Sequence, residues 1–122
     1  MQETVNQLID ALDRNMKYCD WVNKQSVNAY FKELQTEIKE LKFAIENNDL
    51  KNIKEELGDV IWDTFMLAKI AECKNGINTK QVIEEVITKI KRRKPYIFEG
   101  KKVSLEEANR LWREAKLAET SK

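Results

Sequence analysis

The chain has 122 residues, 35% of them charged, with 3 glycines and 1 proline, a mixture that favours helix over sheet and fits one all-α domain spanning residues 1–122. Its 22 lysines and arginines nearly cancel its 21 acids, so no global field draws in nucleic acid or a membrane surface, and Cys19 and Cys73 form neither a CxxC pair nor a disulfide framework. Histidine is absent, which excludes Ser-His and Cys-His nucleophile pairs and imidazole-bound zinc, and leaves carboxylates, lysines or a hard metal ion to do any chemistry.

Val5, Leu8, Ile9, Leu12 and Met16 recur at helical spacing and predict a first amphipathic helix over about residues 3 to 17. The stretch KYCDWVNKQ breaks that period. Ser26 then caps a second helix whose apolar stripe reads Val27, Phe31, Leu34, Ile38, Leu41 and Ile45, ending at Asn47, Asn48 and Asp49. The third helix, about 50 to 74, becomes apolar nearly all round between Val60 and Ala71, which points to burial on several sides and to cover by a second subunit. KNGIN stops it, and Asn78 with Gln81 forms a capping box for a fourth helix carrying Val82, Ile83, Val86, Ile87 and Ile90. Pro95 ends that helix, YIFEGKK reads as a loop or short extended piece, and Ser104 with Glu107 opens a last helix with Leu105, Ala108, Leu111, Trp112 and Ala115.

The acids are placed with a pattern. Glu37 and Glu40 lie on one edge of the second helix's stripe, and Glu56 and Asp59, with Asp63 one turn on, line up similarly on the third. An antiparallel hairpin across the short NNDL turn lets the two acidic edges face each other. Like charges at such spacing repel by about 0.2–0.5 kcal/mol per pair even when exposed, so a positive partner is expected between them. Oxygen-only ligands suit Mg2+ or Mn2+ and suit zinc poorly. Gly58, a mid-helix glycine costing about 1 kcal/mol against alanine, fits close approach of another backbone or a ligand. The same three-residue acidic spacing occurs at Asp10/Asp13 and Glu46/Asp49, and by itself it equally describes a solvated helix face.

In order, ELQTEIKEL, EELGDVIWD, KIKRRKPYIF and LWREAK resemble the MazG family of nucleoside triphosphate pyrophosphohydrolases, whose hallmark is EExxE followed by ExxD on consecutive helices; the resemblance runs from about Cys19 to Ala118. It implies a helical bundle of about five helices with the active site in a four-helix arrangement, assembled as a homodimer or a dimer of dimers. Carried over by position, the metal ligands and catalytic acids fall on Glu37, Glu40, Glu56 and Asp59. Thr36 replaces the first acid of EExxE, which leaves the four ligands in place and the role of that acid open. CDWVNKQS is similar to the family's C-P-W-D-x-x-Q-T, with Val22 in place of an acid, and sets Lys24 and Gln25 near the nucleotide. KIKRRKP is similar to K-x-x-R-R-H-P and implies phosphate-contacting cations at Lys89, Arg92 and Arg93, with Lys94 in place of histidine. LWREAK implies base or phosphate contacts from Trp112 and Lys116.

The activity implied is Mg2+-dependent, with Mn2+ as an alternative ion: cleavage of the α–β phosphoanhydride of a nucleoside triphosphate to give monophosphate and pyrophosphate, in nucleotide-pool house-cleaning. One unengaged carboxylate, or Asp63, would take the proton from the attacking water. The physical reading of KIKRRK is twofold, since lysine and arginine four apart share a face suited to phosphate, while cations also favour a helix C-terminus. Trp112 divides in the same way between core and site, and Trp21 and Trp62 read mainly as packing, with Trp21 the nearer to a ligand. The rival class is a non-catalytic helical interaction module, with KIKRRK binding nucleic acid or an acidic partner. An acidic amphipathic N-terminus and the absence of any long apolar run set the expectation of a cytoplasmic protein with no membrane partner.

Overall fold

The structure, a computed structural model, describes residues 1–120. Among them are seven helices and no strand: α1 (Gln2–Tyr18), α2 (Asp20–Asn23), α3 (Val27–Glu46), α4 (Leu50–Asn75), α5 (Thr79–Arg93), α6 (Pro95–Phe98) and α7 (Leu105–Thr120). They fall into two compact units, Met1–Thr79 and Lys80 onward.

The predicted stops and caps act as their chemistry requires. Ser26 accepts a hydrogen bond from the Ala29 amide at 3.0 Å, and Asp49 accepts one from the Asn52 amide at 3.2 Å, each satisfying a donor that the first helical turn leaves free. Gly76 closes α4 in the left-handed conformation at φ 69, where a side chain is strained. Ser104 caps α7 by accepting from the Glu107 amide at 3.1 Å, but the Glu107 carboxylate turns outward to Arg110, so only half of the expected box forms. Two short helices join the five long ones. The break after α1 holds the single turn α2, and YIFEGKK begins with α6, where Pro95 occupies the first helical turn because its missing N–H would be unpaired there anyway.

In the first unit α3 packs on α4, with α1 against α4. The stripe that α3 turns inward is Val27, Tyr30, Leu34, Glu37, Leu41 and Ala44, and α4 answers with Ile53, Glu56, Val60, Asp63, Leu67 and Ile70, all buried or half-buried. Both follow the alternating three-and-four spacing of a heptad seam. Moving seven residues forward on α3, from Tyr30 to Glu37, corresponds to moving seven back on α4, from Asp63 to Glu56, which is the register of an antiparallel hairpin. This corrects the predicted α3 stripe. Phe31, Ile38 and Ile45 belong to a neighbouring stripe that stays largely exposed, so Glu37 lies in the seam itself and not along its edge.

Leu12, Val22, Tyr30, Met66 and Ile70 form the core, with Leu8, Met16, Cys19, Val27, Trp62, Phe65 and Leu67 around it. The second half of α4 is thus covered on two sides, by α3 and by α1, which accounts for its all-round apolar character. The first half is different: Leu57 and Ile61 remain about half exposed. A side-chain carbon at Gly58 would meet nothing within 4 Å among the described residues, so close approach of another backbone there does not account for the glycine. In the second unit, Glu119 of α7 binds both Arg92 and Arg93 of α5, while Val82, Ile83, Val86 and Ile87 keep more than two fifths of their surface exposed. No helix among the described residues is long and apolar enough to cross a membrane.

Candidate metal and nucleotide site

Glu37 of α3 and Glu56 and Asp59 of α4 each aim one carboxylate oxygen at a common point, with all three oxygens within 4.8 Å of one another. Glu37 and Glu56 oppose each other in the seam, and Asp59, one turn along, opens toward solvent. Oε2 of Glu37 and Oε2 of Glu56 are both buried and have no hydrogen-bond partner among the described residues. Two acceptors facing each other without donors are unfavourable, and a shared cation would relieve that.

The protonation pattern has the same cause. The Glu37 carboxyl is pushed up to about 7, first by burial, then by the facing Glu56 carboxyl, then by the negative charge of Glu40 and Asp59. Glu56 is also raised, again by burial first; the facing Glu37 carboxyl works the other way, and Glu40 and Asp59 add to the rise. Both groups are thus shifted toward the protonated form, and a divalent ion between them would compete with the proton. Convergent oxygen donors, two of them orphaned, fit Mg2+ or Mn2+ chemistry. Glu40 is exposed and stands outside the three-oxygen set, yet its carboxylate is close enough to act on both glutamates.

Tyr30 was missed by the sequence reading. It is 4% exposed, donates its hydroxyl to Asp63 Oδ1 at 2.8 Å, and meets Trp21 edge to face at 6.2 Å. Burial first, then the Asp63 carboxylate, raises its phenol further above its ordinary value. Its signal was available as heptad spacing from Tyr30 to Glu37, masked by the more apolar Phe31, Ile38 and Ile45. Thr36, at the position of the missing acid, turns its hydroxyl back to the Lys32 carbonyl at 3.2 Å.

The remaining predicted residues are spread over both units. Lys24 is exposed at the end of α2, and Gln25 donates to the Trp21 carbonyl at 3.3 Å. In the second unit Lys89 lines an open cleft of about 590 Å³ with Arg92 and Glu84. Arg92 reaches Glu119 Oε1 through Nε at 3.1 Å, and Arg93 reaches Oε2 through Nη2 at 3.0 Å. Arg93 also lies 4.7 Å over the Trp112 ring and Lys94 5.8 Å over it, with Lys91 over Phe98. Four of the five KIKRRK cations thus have partners inside their own unit, which weakens the case for a free nucleic-acid patch. Lys116 is exposed.

Residues 25–98, more than half of the chain, match the family described as MazG nucleotide pyrophosphohydrolase domain. The chain belongs to the MazG family. The MazG-related protein of Thermotoga maritima, known from a crystal structure, superposes with a TM-score of 0.86 at 39% identity, covering 91% of this chain and 97% of that one. The uncharacterized protein YabN of Bacillus subtilis is 34% identical over 83% of this chain and 21% of its own length. The nucleoside triphosphate pyrophosphohydrolase of Mycobacterium tuberculosis is 27% identical over 94% of this chain and 37% of its own. The chain therefore spans between a fifth and two fifths of the length of these two curated relatives. Its all-α architecture is that of the MazG family, with the acid-bearing α3–α4 hairpin inside the matched segment.

Proposed function

We propose that the chain, acting as one domain over residues 1–122, is a nucleoside triphosphate pyrophosphohydrolase that splits the α–β phosphoanhydride to release monophosphate and pyrophosphate, serving nucleotide-pool house-cleaning in the cytoplasm. The observation that carries this is the pair of buried, unpartnered oxygens on Glu37 and Glu56 beside Asp59. Family membership supports the reaction type, and the M. tuberculosis relative bears that activity in its name.

Glu37, Glu56 and Asp59 would hold Mg2+, or Mn2+, with Glu40 beside them. When bound, the ion supplies charge neutralisation for the triphosphate and an acidified water. The chain's own residues do the rest. Burial of Glu37 and Glu56 keeps bulk water from their inner oxygens and strengthens every charge interaction there. Tyr30 fixes the Asp63 carboxylate through Oδ1 and leaves Oδ2 to accept a proton from the attacking water. Lys89, Arg92 and Arg93 would offset charge on the leaving pyrophosphate, the arginines exchanging Glu119 for phosphate oxygens. Lys24, Gln25, Trp112 and Lys116 complete the proposed substrate contacts. A second copy covering Phe31, Ile38 and Ile45 of α3 with Leu57 and Ile61 of α4 accounts for their exposure in the single chain.

The test is pyrophosphate release from a panel of standard and altered triphosphates with Mg2+ or Mn2+. Glu56→Gln should abolish release with helix content intact, and full turnover by that variant would overturn the assignment.

A further inference from the structure

Glu119 occupies a place in the second unit that a phosphate group would also fit. Its two oxygens meet both guanidinium groups at the end of α5: Arg92 donates Nε and Nη2 to Oε1, the first at 3.1 Å, and Arg93 donates Nε and Nη2 to Oε2 at 3.2 and 3.0 Å. Planar forks of this kind pair with phosphate oxygens in the same geometry. One carboxylate offsets only one of the two positive charges, and Lys94 stands close by, 5.8 Å over the Trp112 ring. A polyphosphate brings more charge and more oxygens to the same spot. Arg93 would keep its place meanwhile, because it stacks on Trp112 at 4.7 Å. The helix end that carries Glu119 is weak. A carboxylate in the last turn opposes the helix dipole, no basic residue there offsets it, and Lys116, Leu117 and Ala118 just before it are exposed. Helix ends of that kind open at little cost, and the arginine contact is what explains an acid in this position.

We propose that Glu119 is a displaceable plug on the Arg92–Arg93 pair: the polyphosphate of a bound nucleotide lifts it away, and its return expels the pyrophosphate left by cleavage. The proposal rests on the pyrophosphohydrolase activity and adds to it a device for product release. The arginines, Arg92 foremost, hold the Glu119 carboxyl down at about 2, so it stays ionised near neutral pH and a competing anion, not a proton, displaces it. While the plug is closed the arginines do not bind phosphate, and the apparent affinity falls in proportion to the fraction of chains that are open.

The test is calorimetric binding of inorganic pyrophosphate to the full chain in the presence of a chelator, so that no divalent ion contributes. Glu119→Gln should tighten binding severalfold, about tenfold for a plug closed nine-tenths of the time. Glu114→Gln, the same charge change on α7 at an acid paired with Arg110, should leave binding unchanged. In the wild-type chain pyrophosphate should accelerate hydrogen exchange over 116–120, and in Glu119→Gln, where that turn already exchanges fast, it should add nothing. Equal or weaker binding by Glu119→Gln, which would make Glu119 a support for the arginines, overturns the proposal. So does slower exchange over 116–120 on adding pyrophosphate, or binding by neither chain. Because nothing in these readouts depends on turnover, a chain that hydrolyses no triphosphate but shows both shifts loses the activity and keeps the plug, and one that turns over with neither shift keeps the activity and loses the plug.

Discussion

Glu37 and Glu56 face each other across the α3–α4 seam, at a level where a heptad interface would ordinarily place two apolar side chains, and each keeps one buried oxygen unpaired. Most helical hairpins would be more stable with leucine at both positions. The arrangement is therefore a stability cost concentrated at one point, and it gives each of the following expectations its sign.

Stability without metal should depend on pH in a defined direction. The folded Glu37 carboxyl titrates at about 7, above its ordinary value of 4.5, so the stability linked to its proton is fully present below about 4.5 and is lost as pH rises through about 7. Chelator-treated protein should show a lower urea midpoint at pH 8 than at pH 5. Glu37→Gln should flatten most of that dependence, and Mn2+ should raise the midpoint chiefly at the higher pH.

Tyr30→Phe removes the hydroxyl from a buried ring and leaves Asp63 Oδ1 without its donor. Hydrogen bonds to charged groups contribute about 1.5–3 kcal/mol, so a stability loss of that order, read as a lower denaturation midpoint at unchanged slope, is expected. If Asp63 accepts the proton from water, kcat should fall as well, with KM little changed. A variant with wild-type kcat would leave Tyr30 as packing alone.

Gly58→Ala adds a methyl group to open space in the middle of α4. The chain should gain up to about 1 kcal/mol from helix propensity. A loss of stability or of subunit mass in solution would show that something outside the chain fills that space.

Glu119 ties α7 to α5 through Arg92 and Arg93, which hold its carboxyl down at about 2, the Arg92 hydrogen bond acting most strongly. A depressed carboxylate stabilises above its unfolded value and loses that contribution only as pH falls through about 2. Glu119→Gln should accelerate hydrogen exchange along 105–120 at pH 7. It should also tighten pyrophosphate binding severalfold if the freed arginines reach phosphate.

Much of this was legible in the residues. Ser26, Asp49, Gly76 and Ser104 marked helix ends because caps and left-handed turns are local chemistry, and all four act as read. Helical spacing brought Glu37, Glu56 and Asp59 together across the α3–α4 hairpin but set Glu37 on the edge of the stripe, where the structure has it in the seam. What spacing could not decide was which of two adjoining stripes on α3 faces inward. The more apolar one, through Phe31, Ile38 and Ile45, was the natural choice, yet the seam runs through Tyr30 and Glu37 because α4 supplies Asp63 and Glu56 to meet them. The Glu119 clamp lay beyond local reading because its partners are 26 and 27 residues away. At Gly58 propensity names a cost without saying what offsets it: among the described residues no backbone comes close, which leaves the ligand half of the expectation to the substitution test above.

Manganese binding followed by electron paramagnetic resonance, on the wild-type chain and on Glu56→Gln, tests the central claim most directly. The arrangement of Glu37, Glu56 and Asp59 predicts saturable binding of Mn2+ that competes with Mg2+ and is lost in the variant while helix content stays the same. A wild-type chain whose manganese spectrum remains that of the free ion, or a variant that binds as well as wild type, would contradict it.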